Sequence, residues 1–221
     1  MILNRFIIPK KYFIGQTGQA GIVFYDKGYY IDNWRYMECA SSNQTSAQWG
    51  GRGILIGGTS SYIGHGINNT IVINNFWAAW RTARILVANG GTWDGNPIDN
   101  VDYTGVQTQL IAGKIPSRYK WDGSAANNDP TTWTWIATWA AKVCSELTLN
   151  NKSDWALPSL NELNLMYQNL KVNGIGGFAS SWYLCSTENT TVSVWIQNFL
   201  NGFTDGTNKN SATCVRAVRA F

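Results

Sequence analysis

Strand-like segments at both ends of this chain enclose helix-like segments in its middle, and this order is the strongest constraint on the fold. Short strands are predicted in the first third at Lys11–Ile14, Gly21–Asp26 and Trp34–Ala40, separated by turns that contain Gly and Asn. From Trp182 to the end, the sequences WYLCSTE, VSVWIQNFLNG and CVRAVRAF return to the strand pattern. Strands, then helices, then a final block of strands are typical of an α+β fold rather than a parallel βαβ fold.

Three helices are predicted between the two strand blocks. The first covers Asn74–Ala88 and the second covers Trp135–Leu147. The third begins at Pro158-Ser159, where Ser159 and Glu162 have the spacing of a capping box. Its apolar face comprises Leu160, Leu163, Met166, Tyr167 and Leu170. With 44% hydrophobic residues, the chain can bury a core between these helices and the strands.

The charge of the chain is modest and scattered. Its 221 residues include 17 Lys and Arg and 13 Asp and Glu, for a formal net charge of +4, without a basic run or an Arg-rich helix. Nucleic acid is therefore not expected as a partner. Near the N-terminus, the continuous apolar stretch Phe6–Ile8 is much shorter than a secretory leader or a membrane span. We therefore expect no membrane insertion and no export by a signal in this chain.

Residues that could support catalysis or bind a metal are few and dispersed. His65 is the only histidine, and the four cysteines form no CxxC pair: Cys39, Cys144, Cys185 and Cys214. No spacing singles out a catalytic pair among the carboxylates of the Asn/Asp-rich loop, which are Asp94, Asp99, Asp102 and Asp122. We therefore expect no metal, no cofactor and no enzymatic activity. Cys185 and Cys214 could form a disulfide if their strands are neighbours, and buried free thiols are the alternative.

Three blocks of the sequence resemble one family. The blocks GQAGIVFYDKGYYIDNWRYMECA, SDWALPSLNELNLMYQNL and STE…W.QNF.NG…VRAVRAF are similar, in this order, to the DUF1566 group of bacterial and phage proteins. That group is associated with the C-type-lectin-like fold, and some members are variable proteins of diversity-generating retroelements. The resemblance implies a single domain over residues 1–221, with a twisted antiparallel sheet flanked by two helices and with the N- and C-terminal strands in contact. The segment at about 74–132 lies outside the resemblance and is interpreted as a large insertion that packs onto the domain or onto a neighbouring subunit.

The resemblance also implies a variable ligand-binding face at about 182–214. In the variable members, template adenines are randomised on copying, so Asn codons become codons of the form NNC, which do not encode Trp, Met, Lys, Glu or Gln. Between residues 182 and 214 these types occur only at Trp182, Glu188, Trp195, Gln197 and Lys209. The candidate ligand-binding residues among the others are Tyr183, Leu184, Asn189, Thr190, Thr191, Val192, Ser193, Val194, Ile196, Asn198, Leu200, Phe203, Thr204, Asp205, Thr207, Asn208, Asn210, Ser211 and Thr213.

Side-chain alternation divides the strand sequence SVWIQNFLN into two faces. If Trp195 and Phe199 point to the core, Val194, Ile196 and Leu200 lie on the opposite face. An exposed apolar face of this kind indicates a binding surface. The alternative is a central strand that is buried on both sides, with helices covering the second face.

Together these features predict a receptor- or ligand-binding protein, displayed on a phage tail or a similar assembly, whose ligand is a protein or a cell-surface molecule. Its other partners would be virion proteins or further copies of the same chain. A carbohydrate-binding, lectin-like adhesin without diversification is one alternative, although the EPN and QPD sugar-binding tripeptides are absent. A second alternative is an enzyme of the formylglycine-generating type, with Cys185 and Cys214 as its cysteine pair.

Overall fold

The computed structural model of this protein describes residues 10–52, 55–88 and 138–221. These residues form eight β-strands and three α-helices. The strands are β1 (Ile22–Ile31), β2 (Trp34–Cys39), β3 (Gln44–Ala47), β4 (Trp182–Glu188), β5 (Ser193–Asn198), β6 (Thr204–Asn208), β7 (Thr213–Val215) and β8 (Val218–Ala220). The helices are α1 (Gly66–Ala88), α2 (Ala140–Ser145) and α3 (Leu160–Met166), the last of which continues as a π-helical turn at Tyr167–Lys171. The prediction of a mixed α+β protein is confirmed.

The strands form two sheets. Strands β1, β2 and β8 make a three-stranded antiparallel sheet, in which Met37 pairs with Ala220 and Cys39 pairs with Val218. The second sheet has five strands in the order β3-β7-β4-β5-β6, with β4 and β7 parallel and the other neighbours antiparallel. The N-terminal hairpin and the last strand therefore lie side by side, and β6 is an edge strand of the larger sheet.

Most of the strands overlap predicted segments, but the predicted strand CVRAVRAF is divided into β7 and β8, which belong to different sheets. Three further differences appear. The predicted strand Lys11–Ile14 is absent, because the chain turns there and Gly15 N–H donates a hydrogen bond to Val23 O (2.8 Å). Strands β3 and β6 are not predicted, since their sequences QTSA and TDGTN are polar and lack an apolar alternation. Both polar strands exist because neighbouring strands of the sheet supply partners for their backbone groups.

Helix α1 begins at Gly66, before the predicted start at Asn74. Its first turns, GINNTIVI, mix Gly, Asn and β-branched residues, which have low helix propensity. A tertiary contact stabilises this start, because Oε1 of Glu162 accepts hydrogen bonds from the backbone N–H groups of Gly64 (2.8 Å) and Gly66 (3.1 Å). The carboxylate lies so close that a Cβ atom at Gly66 would collide with it.

The predicted capping box at the start of α3 is present. Ser159 Oγ accepts a hydrogen bond from Glu162 N–H (3.3 Å), and Glu162 Oε2 accepts one from Ser159 N–H (2.8 Å). Burial raises the pKa of Glu162 to about 7, and hydrogen bonds from the backbone N–H groups of Ser159, Gly66 and Gly64 oppose that shift. One carboxylate therefore caps α3 and also holds the start of α1.

Helix α2 starts later than the predicted segment Trp135–Leu147. Trp139 has an extended backbone (φ −141°, ψ 163°) and precedes the first helical residue, Ala140. Residues 135–137, the start of the predicted helix, lie outside the described part of the chain. The range 89–134, which contains most of the segment interpreted as an insertion, also lies outside it. The predictions for Asp94, Asp99, Asp102 and Asp122 also fall outside the described residues.

Two apolar clusters lie on opposite sides of β4 and β5. The first includes Leu184, Val194 and Ile196 of the two strands, Ile73, Phe76 and Trp77 of α1, and Trp49. The second includes Tyr183 and Cys185 of β4, Leu163 and Met166 of α3, and Phe199, which directly follows β5. Neighbouring residues along each strand point into different clusters, as strand alternation requires. Because Phe76 and Trp77 belong to the first cluster, the start of the segment interpreted as an insertion packs into the core.

A buried charge network joins the N-terminal loop to β8. The fully buried Glu38 carboxylate accepts hydrogen bonds of 2.7–3.1 Å from the backbone N–H groups of residues 19–21. Arg219 donates to Glu38 from Nη1 (2.7 Å), and to Asp154 from Nε (2.7 Å) and Nη2 (2.9 Å). Because the buried charges of Glu38 and Arg219 are paired and hydrogen-bonded, they anchor the loop to the last strand, and the half-exposed Asp154 adds a second partner for Arg219.

Asp154→Asn should lower the melting temperature near neutral pH and have a smaller effect in acid. Burial favours the protonated form of Asp154, but the hydrogen bonds and charge of Arg219 outweigh burial and lower its pKa below the usual 3.8. A lowered pKa in the folded state stabilises the fold above the unfolded-state pKa, and this contribution is lost as pH falls through the folded-state value. Melting curves from about pH 7 to about pH 2 measure the difference. Asp32→Asn changes an exposed side chain and is the control. If Asp154→Asn lowered the melting temperature equally at about pH 7 and about pH 2, the stabilising role of the Asp154 charge would be contradicted.

Candidate functional site

The structure corrects the predicted orientation of β5. Val194 is 0% exposed and Ile196 is 6% exposed, so the face predicted to be an outer binding surface is covered by the first apolar cluster. On the other face, Gln197 is fully buried and its Nε2 donates to Asn164 Oδ1 of α3 (2.8 Å). The strand is therefore buried on both sides, which is the alternative stated above. The assignment of Val194 and Ile196 to an exposed ligand-binding face is wrong.

Two further candidates, Tyr183 and Leu184, are also fully buried. Both belong to β4, which lies between β5 and β7 inside the five-stranded sheet. The Tyr183 hydroxyl donates to Asn43 Oδ1 (3.0 Å) and accepts from Ala179 N–H (2.9 Å), so its polar group is used within the fold. The predicted place of Tyr183 and Leu184 on an exposed ligand-binding face is therefore corrected, because neither side chain reaches the surface.

The remaining candidates lie around β6, in the turns before and after it and in the turn between β4 and β5. The exposed ones are Asn189, Thr190, Thr191, Val192, Leu200, Phe203, Thr204, Asp205, Asn208 and Asn210. The half-buried ones are Ser193, Asn198, Thr207, Ser211 and Thr213. We define these two sets together as the β6 surface.

The most apolar part of the β6 surface is the turn between β5 and β6. Leu200 is 68% exposed and Phe203 is 60% exposed. The turn is held by side-chain oxygens, since Asn198 Oδ1 accepts from Leu200 N–H (2.8 Å) and Asn201 Oδ1 accepts from Phe203 N–H (3.1 Å). Gly202 completes the reversal with φ +80°, a conformation that favours glycine. Two large apolar side chains are thus presented to solvent on a hydrogen-bonded turn.

Two residues of this region are absent from the predicted set. The ring of Trp182 is half-buried and lies edge-on to Phe203, with 6.4 Å between the ring centroids. Asn201 is exposed at the tip of the turn. The Asn-Gly pair at 201–202 is a sequence signal for such a turn, whereas the position of Trp182 follows from the pairing of Trp182 with Asn198 across β4 and β5.

Strand β6 contributes backbone groups as well as side chains to the surface. At one end of the β5–β6 pair Asn198 N–H donates to Phe203 O (2.8 Å), and at the other end Lys209 N–H donates to Val192 O (3.0 Å). Both bonds fit one register, in which every second residue of β6 is hydrogen-bonded to β5. In that register Asp205 and Thr207 direct their backbone groups toward β5, and Thr204, Gly206 and Asn208 direct theirs away from the sheet. The Asp205 carboxylate accepts a hydrogen bond from Gly206 N–H (2.7 Å), which covers one of these outward groups.

Beneath the β6 surface, a buried ion pair links the end of β4 to the end of β6. The Glu188 carboxylate accepts hydrogen bonds from Ile56 N–H (2.8 Å) and Gly57 N–H (2.6 Å) and is ion-paired with Lys209 Nζ. The Lys209 side chain is fully buried and its ammonium lies 4.8 Å from the centroid of the Trp49 ring. Burial lowers the pKa of Lys209, and the Glu188 carboxylate opposes that shift. The pair therefore fixes one end of the β6 surface, where β4 and β6 both end, to the Gly-rich segment around residue 57.

The two cysteines of the enzymatic alternative are not linked to each other in the structure. Strands β4 and β7 are neighbours, but Cys185 and Cys214 are both free thiols. Cys185 is fully buried, its thiol donates to Trp195 O (3.0 Å), and burial raises its pKa to about 12. A thiol with a raised pKa is a poor nucleophile at neutral pH, because little of it is ionised.

Other reactive groups in the described part of the chain are also held in structural roles. His65 is half-buried at the start of α1, where its ring lies edge-on to Tyr62 at 6.0 Å and its carbonyl accepts from Asn69 N–H (2.9 Å). Among residues 10–52, 55–88 and 138–221, no three His, Cys, Asp or Glu side chains are grouped as metal ligands. Within the same residues, the helices are too short or too polar to cross a bilayer.

No family model matches the chain, and no curated protein matches it. The assignment of a specific fold family and a specific function therefore depends on the sequence blocks quoted above and on the geometry of the β6 surface.

Proposed function

We propose that this chain is a diversified ligand-binding protein with a C-type-lectin-like fold, displayed on a phage tail or a similar assembly, and that its β6 surface binds a protein or cell-surface ligand. The observation that carries the proposal is that, apart from the buried Val194 and Ile196, the candidate residues between 189 and 213 are exposed or half-buried and lie over a buried framework. Glu188, Gln197 and Lys209 form the framework, and each is a residue type that an NNC codon does not encode.

The side chains of the β6 surface suit recognition of a large partner. Leu200 and Phe203 provide apolar area that can anchor a partner, because each is more than half exposed in the free protein. Around them lie short Asn, Thr and Ser side chains, which form hydrogen bonds and lose little rotamer entropy on binding. Long flexible Lys and Glu side chains, which cost more entropy to immobilise, are absent from the defined surface.

The framework explains how such a surface could change while the fold persists. Gln197 Nε2 donates to Asn164 Oδ1 (2.8 Å) and to Gly202 O (3.1 Å), so it ties the β5–β6 turn to α3. The Glu188–Lys209 pair holds the opposite end of β6. Exposed positions between these anchors contribute little to stability, and most substitutions there change it by less than about 0.5 kcal/mol. A footprint of about 800 Å² on each partner would be enough for a specific protein complex.

A carbohydrate-binding adhesin is the second candidate, and the exposed ring of Phe203 favours it. This ring, supported by Trp182, offers a flat apolar surface on which a sugar could stack. A glycan array distinguishes the candidates. An adhesin would bind one glycan, lose that binding in Phe203→Ala and keep it in Val192→Asn. A diversified binder would show no glycan binding that depends on Phe203 in this way.

The DNA that flanks the gene tests the proposed function directly. We expect a near-identical repeat that differs from the coding sequence at adenines and lies beside a reverse transcriptase gene. The altered codons should fall on the exposed and half-buried residues of the β6 surface and spare the codons of Glu188, Gln197 and Lys209. Flanking DNA without a repeat, or with differences concentrated on the buried framework, would refute diversification.

A pair of display libraries tests whether the surface can acquire new binding. One library places NNC codons at Val192, Leu200, Phe203, Thr204 and Asn208, and the control library places them at exposed residues elsewhere, namely Thr17, Ser41, Ser42, Thr45 and Ser46. Both are selected against the same purified protein. We expect folded clones from both libraries and enriched binders mainly from the first; equal enrichment would show that the β6 surface has no special capacity.

A further inference from the structure

A groove separate from the β6 surface lies beside the three-stranded sheet. It is a groove of about 790 Å³ whose lining includes Lys10, Lys11, Tyr12, Arg35, Tyr36 and Phe221. This volume is within the range of about 300–1,000 Å³ that is common for ligand sites. The lining residues come from the N-terminal segment, from β2 and from the residue that follows β8, so the groove shares no residue with the β6 surface.

The floor of the groove is a preformed aromatic cluster. The ring of Tyr12 lies 5.3 Å from Tyr36 and 5.2 Å from Phe221, and the rings of Tyr36 and Phe221 are 5.6 Å apart. Arg35 N–H and Tyr36 N–H donate to Phe221 O at 2.8 and 2.9 Å, so the sheet itself fixes the cluster. A floor that is already ordered binds an apolar side chain at a small entropic cost.

The rim of the groove is cationic. Lys10 and Lys11 are exposed, and their ammonium groups lie over the rings of Tyr12 (4.8 Å) and Phe13 (5.2 Å), respectively. Arg35 uses Nε (2.8 Å) and Nη2 (3.0 Å) to bind Asp26, and its Nη1 takes no part in that pair. None of the described lining residues has an acidic side chain. The groove therefore complements a ligand that combines negative charge with an apolar group.

One exposed residue of the β1–β2 hairpin extends the lining of the groove. Tyr30 lines it and is 69% exposed, and the adjoining Tyr29 and Ile31 are 62% and 50% exposed. A small anion would contact only the cationic rim, whereas the successive side chains of an extended chain could contact the rim, the aromatic floor and Tyr30. Contiguous exposed apolar surface on a soluble domain typically marks a contact with a partner.

We propose that this groove binds an extended, acidic peptide segment of a partner protein. An apolar side chain of the segment packs on Tyr12, Tyr36 and Phe221, and flanking carboxylates lie at Lys10, Lys11 and the free nitrogen of Arg35. Because the groove and the β6 surface belong to different sheets, the protein can dock to an assembly through one and leave the other open. This inference does not depend on the function proposed for the β6 surface.

Fluorescence anisotropy with a labelled peptide in which Glu alternates with Phe tests the proposal, and the same peptide with Gln in place of Glu is the probe control. We expect the Glu peptide to bind, the Gln peptide to bind much more weakly, and added salt to weaken the Glu complex. Lys10→Gln/Lys11→Gln should weaken binding roughly tenfold or more, since each rim charge contributes a several-fold factor. Tyr30→Ala should also weaken it.

The control variant Lys142→Gln/Lys152→Gln has the same change in net charge at sites outside the groove and should bind like the unmodified protein. The thermal melt of Lys10→Gln/Lys11→Gln should coincide with the original, because Lys10 and Lys11 are exposed. Failure of the Glu peptide to bind, equal binding of the Gln peptide, or equal loss in both double variants would each overturn the proposal.

Discussion

Lys209→Met is expected to lower the free energy of unfolding by about 3–5 kcal/mol, although it replaces one charged side chain with an apolar one of similar length. The reason is that Glu188 stays buried against the backbone of Ile56 and Gly57 without its counter-charge. An isolated buried carboxylate must be protonated or hydrated, and either change disturbs the end of β6. Urea unfolding measures the loss.

Two further variants show whether the pairing itself causes the loss. Lys152→Met removes a lysine that is not fully buried and should change stability by less than about 0.5 kcal/mol. Glu188→Gln/Lys209→Met should recover part of the loss, because the neutral amide still accepts a hydrogen bond from Ile56 or Gly57 without a charge. A loss below about 1 kcal/mol for Lys209→Met would mean that the ion pair does not anchor the surface.

Phe199→Ala is expected to cost about 3–5 kcal/mol, whereas Leu200→Ala, one residue later, should change stability by less than about 0.5 kcal/mol. The ring of Phe199 is fully buried and lies 4.3 Å from Tyr183, 5.1 Å from Phe178 and 5.5 Å from Tyr167, so truncation leaves a cavity among rigid rings. Leu200 is 68% exposed on the adjoining turn and loses few contacts.

Thermal melts, together with a binding assay on clones selected from the library at the β6 surface, separate the core role of Phe199 from the surface role of Leu200. Leu200→Ala should leave the melting temperature almost unchanged and weaken binding in clones that retain Leu200. Phe199→Ala should unfold the domain or make it marginally stable at the assay temperature. If Leu200→Ala unfolds the protein while Phe199→Ala does not, the orientation of the β5–β6 turn is reversed and Leu200 belongs to the core.

The burial of β5 changes which substitutions are informative about binding. Replacing Ile196 with Asn would place an amide in the first apolar cluster and destabilise the fold, so loss of binding in such a variant says nothing about contact with a ligand. Leu200, Phe203 and Val192 are the apolar positions that can be changed without that cost, because all three are exposed. Candidate contacts with a partner should be tested at these positions.

Local sequence signals predicted the parts of the fold that depend on neighbouring residues. Ser159 and Glu162 are three residues apart, so their capping box follows from helix geometry alone. The alternation in SVWIQN likewise required that Val194 and Trp195 point in opposite directions, and the two clusters on either side of β5 agree with this. The order of strands and helices was sufficient to predict an α+β protein.

What the sequence determined by itself was therefore the start of α3, which residues share a face, and which residue types line the region from 182 to 214. Only the tertiary structure decided which faces are covered, because Trp49 and Trp77, far from β5 in sequence, pack in the cluster that buries Val194 and Ile196. It also decided that the polar segment TDGTN is an edge strand, since β5 supplies its backbone hydrogen bonds. The pairing of Glu188 with Lys209 arises for the same physical reason: charges distant in sequence become partners only when strands β4, β5 and β6 bring them together.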